Sequence, residues 1–156
     1  MKIGIIVYSY TNNTLRIAEK LEAGLANRGY DVELKSIKAQ NENPNATSYH
    51  LVNVPSVEIY DAIIFASCVR GFDCAPIFKE YVQSLNSLMN KKIAGFVSQF
   101  FPFDAMGANQ SLNTMASLVL QKGAKLYKLG SIHTKFRNQE KQILNMIDQC
   151  DQWLKA

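Results

Sequence analysis

With 156 residues, the chain can fill one hydrophobic core but not two ordinary domains, so one domain spanning 1–156 is expected. Hydrophobic residues at 47% and charged residues at 19% exclude a disordered chain, and no apolar run approaches the ~20 residues that span a bilayer, so no membrane partner is expected. The net charge of +4 comes with no basic run and no recognised nucleic-acid motif, which makes a solvated basic face the expectation and nucleic acid an unexpected partner.

The Met1-Lys2 start has no apolar segment or small-residue cleavage site of a signal peptide, so a cytoplasmic location is expected. Three cysteines, Cys68, Cys74 and Cys150, lack zinc-type spacing and agree with a reducing compartment. His50 and His133 have no companions at ligand spacing, so no metal site is expected.

In chain order, strands are expected at Lys2 to Tyr8, Asp31 to Ile37, Ala62 to Ala66, Ile93 to Gln99 and Ala124 to Gly130. The first, third and fourth are nearly continuous apolar segments, as suits strands covered on both faces. Between and after them run four helical stripes. Ile17, Leu21 and Leu25 form the first with Ala18; Phe78, Tyr81, Val82 and Leu85 the second. Leu112, Met115, Ala116 and Val119 form the third, and Ile143, Ile147, Cys150 and Leu154 the fourth. Gly29 and Gly123 stand where helix C-terminal caps belong. The polar stretch from Gln40 and the segment up to Tyr60 read as a long surface connection with room for one short helix. Strands alternating with helices imply parallel strands, right-handed crossovers and a doubly wound α/β sheet.

In such a sheet, ligands bind beyond the carboxyl ends of the strands, where the winding reverses. The loops after strands one, three and four are YSYTNNT, SCVRGFDCAP and SQFFPFDAMG. The first has five hydroxyl-bearing residues and two Asn among its seven and leads into a helix. Its backbone N–H groups and the helix dipole make an anion site for a phosphate monoester, with no cationic side chain needed. An ordinary N-terminal cap is the alternative, but one such residue suffices for a cap, and the ligand reading is favoured. The sequence has neither a Gly-x-x-x-x-Gly-Lys-Ser/Thr nor, after the first strand, a Gly-x-Gly-x-x-Gly. Phe100, Phe101 and Phe103 around Pro102 suit stacking on a flat ring, with Phe100 expected to cap the core. Arg70, Gly71 and Phe72 add a cation, a permissive backbone and another aromatic. A phosphate seat beside two ring-facing loops points to flavin mononucleotide.

On these segments the chain resembles the flavodoxin family over essentially its whole length. YSYTNNT resembles the family's phosphate loop, YDAIIFASCVRGF its third strand and first flavin loop, and SQFFPFDAMGANQSLNTM its fourth strand, second flavin loop and following helix. The resemblance implies a five-stranded parallel sheet of order 2-1-3-4-5 with helices on both faces and FMN at the strand ends. It implies phosphate binding by Ser9, Thr11, Asn12, Asn13 and Thr14, with Tyr10 contributing its backbone. Ser67, Cys68, Val69, Arg70, Gly71 and Phe72 would line one side of the isoalloxazine. Ser98, Gln99, Phe100, Phe101, Pro102, Phe103 and Gly107 would line the other. Gly71 stands where family members flip a peptide toward flavin N5. Asp104 and Asn109 are candidates for orienting the second loop.

Two departures from the family stand out. Asn12 replaces the usual Gly, although Asn is the next best residue at positive φ. The chain is basic, whereas small carriers of the family are typically acidic. The expected function is an FMN-binding redox protein, serving a redox partner protein or a small-molecule electron acceptor. It would be either an electron carrier or a small flavin-dependent reductase, with a slight preference for the reductase because the surface lacks the acidic bias of a carrier, a preference that Arg70 facing the flavin would strengthen. The alternative is a binding module of the same fold that has lost flavin and holds another ligand in that cleft.

Overall fold

The computed structural model describes every residue except Pro44, Phe101, Pro102, Phe136 and Arg137. Five long strands, β1 (Lys2–Tyr8), β2 (Asp31–Ser36), β5 (Ala62–Arg70), β7 (Lys92–Gln99) and β8 (Leu126–His133), form a parallel sheet in the order β2-β1-β5-β7-β8. This is the expected 2-1-3-4-5 winding, with its reversal between β1 and β5. Four helices cover it: α1 (Asn13–Asn27), α2 (Pro76–Ser84), α3 (Ala108–Gln121) and α4 (Gln139–Lys155).

The apolar strands sort their side chains by period two. Ile3, Ile5 and Val7 of β1 join Ile17, Leu21 and Leu25 of α1 and Ile143, Ile147, Cys150 and Leu154 of α4 on one face. Ile6 and Tyr8 point to the other face, where Phe78, Tyr81 and Val82 of α2 and Leu112, Met115 and Val119 of α3 close the second core. All four helical stripes are therefore buried as their spacing implied. Burial of each large apolar side chain contributes roughly 1.5–3 kcal/mol. Gly29 and Gly123 follow the last turns of α1 and α3, with Tyr30 and Ala124 N–H groups returning to Leu25 and Val119 carbonyls.

Three boundaries differ from expectation. The segment after β2 holds two short strands, β3 (Lys38–Ala39) and β4 (Leu51–Asn53), paired antiparallel, and no helix among its described residues. Pro55 interrupts the apolar run from Leu51 to Ile59, and a helix interior does not accept its missing N–H. β5 runs on to Arg70 because β6 (Asp73–Cys74) folds back on it as a hairpin. β8 continues past Gly130, which at φ +103° borders a bulge in which Leu129 is the extra residue between the Gly95–Lys128 and Phe96–Gly130 pairs. A glycine expected to end the strand instead bends it.

Candidate functional site

The first loop leaves β1 at Tyr8 and enters α1 through Asn12, which adopts the left-handed conformation at φ +67°. Asn tolerates that region better than any other non-glycine residue, so the turn forms without Gly. Despite the cap-forming residues around it, α1 has no side-chain cap, and no acidic residue stands in its first turn. Ser9 Oγ is buried with no partner among the described residues. Thr11 and Asn12 are exposed, and Asn13 donates through Nδ2 to Thr11 Oγ1 at 3.2 Å while accepting from Arg16 at 2.6 Å. Thr14 is buried, and its hydroxyl shares a 2.6 Å hydrogen bond with Ser98 at the end of β7.

The second loop is the β5–β6 hairpin. Arg70 pairs with Asp73, leaving Gly71 (φ +58°) and Phe72 (φ +64°) as a two-residue turn with both central residues left-handed. That is the turn whose twist matches a hairpin, and it costs Phe72 strain that Gly71 escapes. Phe72 is 60% exposed. Arg70 turns sideways, its guanidinium carbon 3.8 Å from the centroid of the Tyr10 ring. Ser67 is buried; its hydroxyl donates to the Cys68 carbonyl and accepts from the Ala75 N–H. Burial pushes the Cys68 thiol above its usual range, against the opposing pull of the Tyr10 N–H and the Arg70 charge. Burial likewise raises the Tyr8 hydroxyl, reinforced by a hydrogen bond with Glu42.

The third loop leaves β7 at Gln99, passes Phe100 and Phe103, and enters a 3-10 turn, Asp104–Met106, ahead of α3. Phe100 is 51% exposed with Lys135 Nζ 4.6 Å from its ring centroid, so the expectation that it caps the core is overturned. Phe103 is exposed too, while Phe101 and Pro102 lie outside the described residues. Gly107, at φ +126°, packs against the hairpin so closely that a Cβ would come within 2.6 Å of Val69 Cγ1 and 2.9 Å of Phe72 Cα.

These loops bound a cleft of about 290 Å³ lined by Thr11, Asn13, Thr14, Cys68, Val69 and Ser98, with Gln99, Phe100 and Thr134 completing it. A second cavity of about 200 Å³ adjoins it, sharing Val69, Gln99 and Phe100 and adding Gly71, Phe72 and Met106. Ten of the expected site residues thus line one continuous groove. Ser9, Tyr10, Asn12, Ser67, Arg70, Phe103 and Gly107 shape the loops without lining either cavity.

Sequence reasoning missed the β8 side of the groove. Thr134 lines the cleft, and His133 and Ser131 stand behind the third loop, joined to Asp104 and Gln99. Ending the strand at Gly130 removed these residues from view. The alternation Ser131, His133 beyond an apolar strand was the available signal. Asp104, in the third loop, ties that loop to β8 through Ser131 and His133. Asn109 is exposed on α3, and its neighbour Gln110 donates to Thr114 on the same helix. Among the described residues, no His, Cys, Asp and Glu cluster could hold a metal ion.

No protein-family model matches the chain, and no curated protein matches it by sequence. Solved structures match its fold closely. Oxidised flavodoxin 1 from Bacillus cereus superposes with a TM-score of 0.71 at 18% identity, covering 100% of this chain and 99% of that one. The flavodoxin of Streptococcus pneumoniae TIGR4 does so at 0.69 and 17% identity, with 99% of each chain covered. A flavoprotein from Lactobacillus acidophilus NCFM, solved in complex with FMN, gives 0.64 at 17% identity over 98% of each chain. The chain has the flavodoxin-like fold, and among the described residues no helix is long and apolar enough to cross a membrane.

Proposed function

We propose that the chain binds FMN along the groove at the strand ends and serves as a flavin redox protein. The observation that carries this reading is the uncapped first turn of α1, set beside the buried, unpartnered Ser9 hydroxyl. A phosphate monoester satisfies both, because helix N–H groups and the dipole favour an anion there. Thr11 adds a hydroxyl proton that its bond from Asn13 does not use. Val69, Phe72, Phe100 and Met106 give the adjoining cavity apolar walls suited to a flat ring and to excluding water from it.

FMN, when bound, supplies the one- and two-electron chemistry, and the protein tunes it. Arg70 does not line either cavity and stacks on Tyr10 instead, which removes the cation that favoured a two-electron reductase. The reading supported best is therefore an electron carrier. The left-handed Asn12 likewise removes the reason for expecting a flavin-free module.

The purified chain is expected to be yellow and, once stripped, to quench the fluorescence of added FMN with one-to-one stoichiometry. Anaerobic photoreduction should proceed in two separated one-electron steps. A colourless chain that takes up no FMN would transfer the cleft to another ligand.

A further inference from the structure

Among the described residues, Gln99 is the only one with a polar side chain in the wall shared by the two cavities. It is 4% exposed, and its two amide ends are treated unequally. Nε2 donates to the Phe103 carbonyl at 2.9 Å and lies 3.4 Å from His133 Nδ1. Oε1 is buried with no partner among the described residues.

The groups around His133 account for that asymmetry. Its Nε2 lies 3.0 Å from Asp104 Oδ1, which also accepts from Ser131 Oγ at 2.7 Å. A carboxylate at that distance requires a proton on Nε2, which leaves the Nδ1 lone pair facing Gln99 in the neutral ring. From α4, Gln142 fixes the His133 backbone, accepting its N–H at 2.9 Å. With Nδ1 an acceptor and the Phe103 carbonyl another, only the Gln99 NH₂ fits between them. Reversing the amide would set Oε1 against two acceptors.

We propose that Gln99 is a specificity-determining residue of the groove. Its side-chain carbonyl is reserved for a hydrogen-bond donor on the bound molecule, and Asp104 and His133 are positioning residues that keep the amide turned that way. This rests on the FMN reading, for which the donor is the ring imide N–H or a ribityl hydroxyl. A buried carbonyl is costly unpaired, so a ligand that pairs it gains over one that does not.

The test is fluorescence titration of the flavin-stripped full-length chain with three ligands. These are FMN, N3-methyl-FMN, which lacks the imide donor, and the 5′-phosphopentyl analogue, which lacks the ribityl hydroxyls. Gln99→Met should weaken FMN by about 10–100-fold. The analogue that lacks the donor read by Gln99 should bind wild type and Gln99→Met equally, and so identify that donor. No loss for FMN, or the same loss for all three ligands, overturns the role of Gln99. His133→Leu should copy Gln99→Met, whereas His133→Asn, whose Oδ1 replaces the Nδ1 acceptor, should recover most of the affinity. Equal losses in both overturn the positioning role. Independently of any variant, ¹H–¹⁵N correlations of wild type should show His133 protonated at Nε2 only; a proton on Nδ1, with or without one on Nε2, overturns it too. A wild-type chain that binds no flavin overturns the FMN reading itself and this proposal with it, an outcome distinct from flavin binding that ignores Gln99.

Discussion

The hydroxyls of Thr14 and Ser98 share a hydrogen bond 2.6 Å long that ties the first turn of α1 to the end of β7, both residues being buried. Two threonines of one loop therefore have different duties. Thr14→Val should lower stability by about 1–3 kcal/mol, because Ser98 keeps a buried hydroxyl without its partner. It should weaken FMN and riboflavin by similar factors. Thr11→Ala, at an exposed position, should leave stability within ~0.5 kcal/mol. It should cost FMN about 1.5–3 kcal/mol while sparing riboflavin, which has no phosphate. Urea denaturation and parallel ligand titrations check both; equal losses of the two flavins in Thr11→Ala would remove the phosphate from this loop.

Arg70 over Tyr10 bridges the first and second loops at 3.8 Å. A double-mutant cycle between Arg70→Gln and Tyr10→Leu should return a coupling of about 0.5–1 kcal/mol. Because that charge is engaged on Tyr10, Arg70→Gln should leave the reduction potentials of bound flavin near their wild-type values. A marked fall in the second potential would restore the two-electron reductase reading.

The hairpin and the third loop meet where Gly107 touches Val69 and Phe72. Gly107→Ala places a Cβ against backbone and adds strain at φ +126°, so a loss of about 2–4 kcal/mol is expected. Phe72→Gly should move the other way, gaining up to about 1 kcal/mol by relieving a left-handed non-glycine residue. It should also weaken flavin, since the ring of Phe72 lines the smaller cavity. Thermal denaturation with and without FMN separates the two effects; a Phe72→Gly chain that gains no stability when free would show that the turn carries no strain.

Burial pushes the Cys74 and Cys150 thiols from 9.0 to about 12. The unfolded chain therefore releases these protons first as pH rises. Each thiol's contribution is intact below pH 9.0 and is lost progressively between pH 9.0 and about 12. At about pH 10.5 the loss is on the order of 2 kcal/mol per thiol. Denaturation midpoints in urea should fall over that window, and Cys150→Val should flatten the fall. A midpoint independent of pH up to 10.5 would count against deep burial of these thiols.

The sequence pattern by itself determined a doubly wound parallel sheet, and its strand order followed from the resemblance to the flavodoxin family. Continuous apolar strands such as Ile3–Val7 and four-residue stripes such as Ile17, Leu21 and Leu25 leave one economical way to bury both faces. It also placed the polar first loop, Ser9 to Thr14, at a strand end, because polar residues without a core-facing period do not fit inside an element. Tertiary structure decided what spacing cannot encode. Phe100 lies exposed with Lys135 over its ring, outside the core, and Arg70 turned onto Tyr10 because the hairpin brought two loops together. His133 reached Asp104 and Gln99 only because a bulge at Gly130 carried β8 three residues beyond the glycine expected to end it. Side-chain direction and contacts between residues far apart in the chain depend on the packed fold. A local pattern fixes which face a residue occupies, not what it meets there.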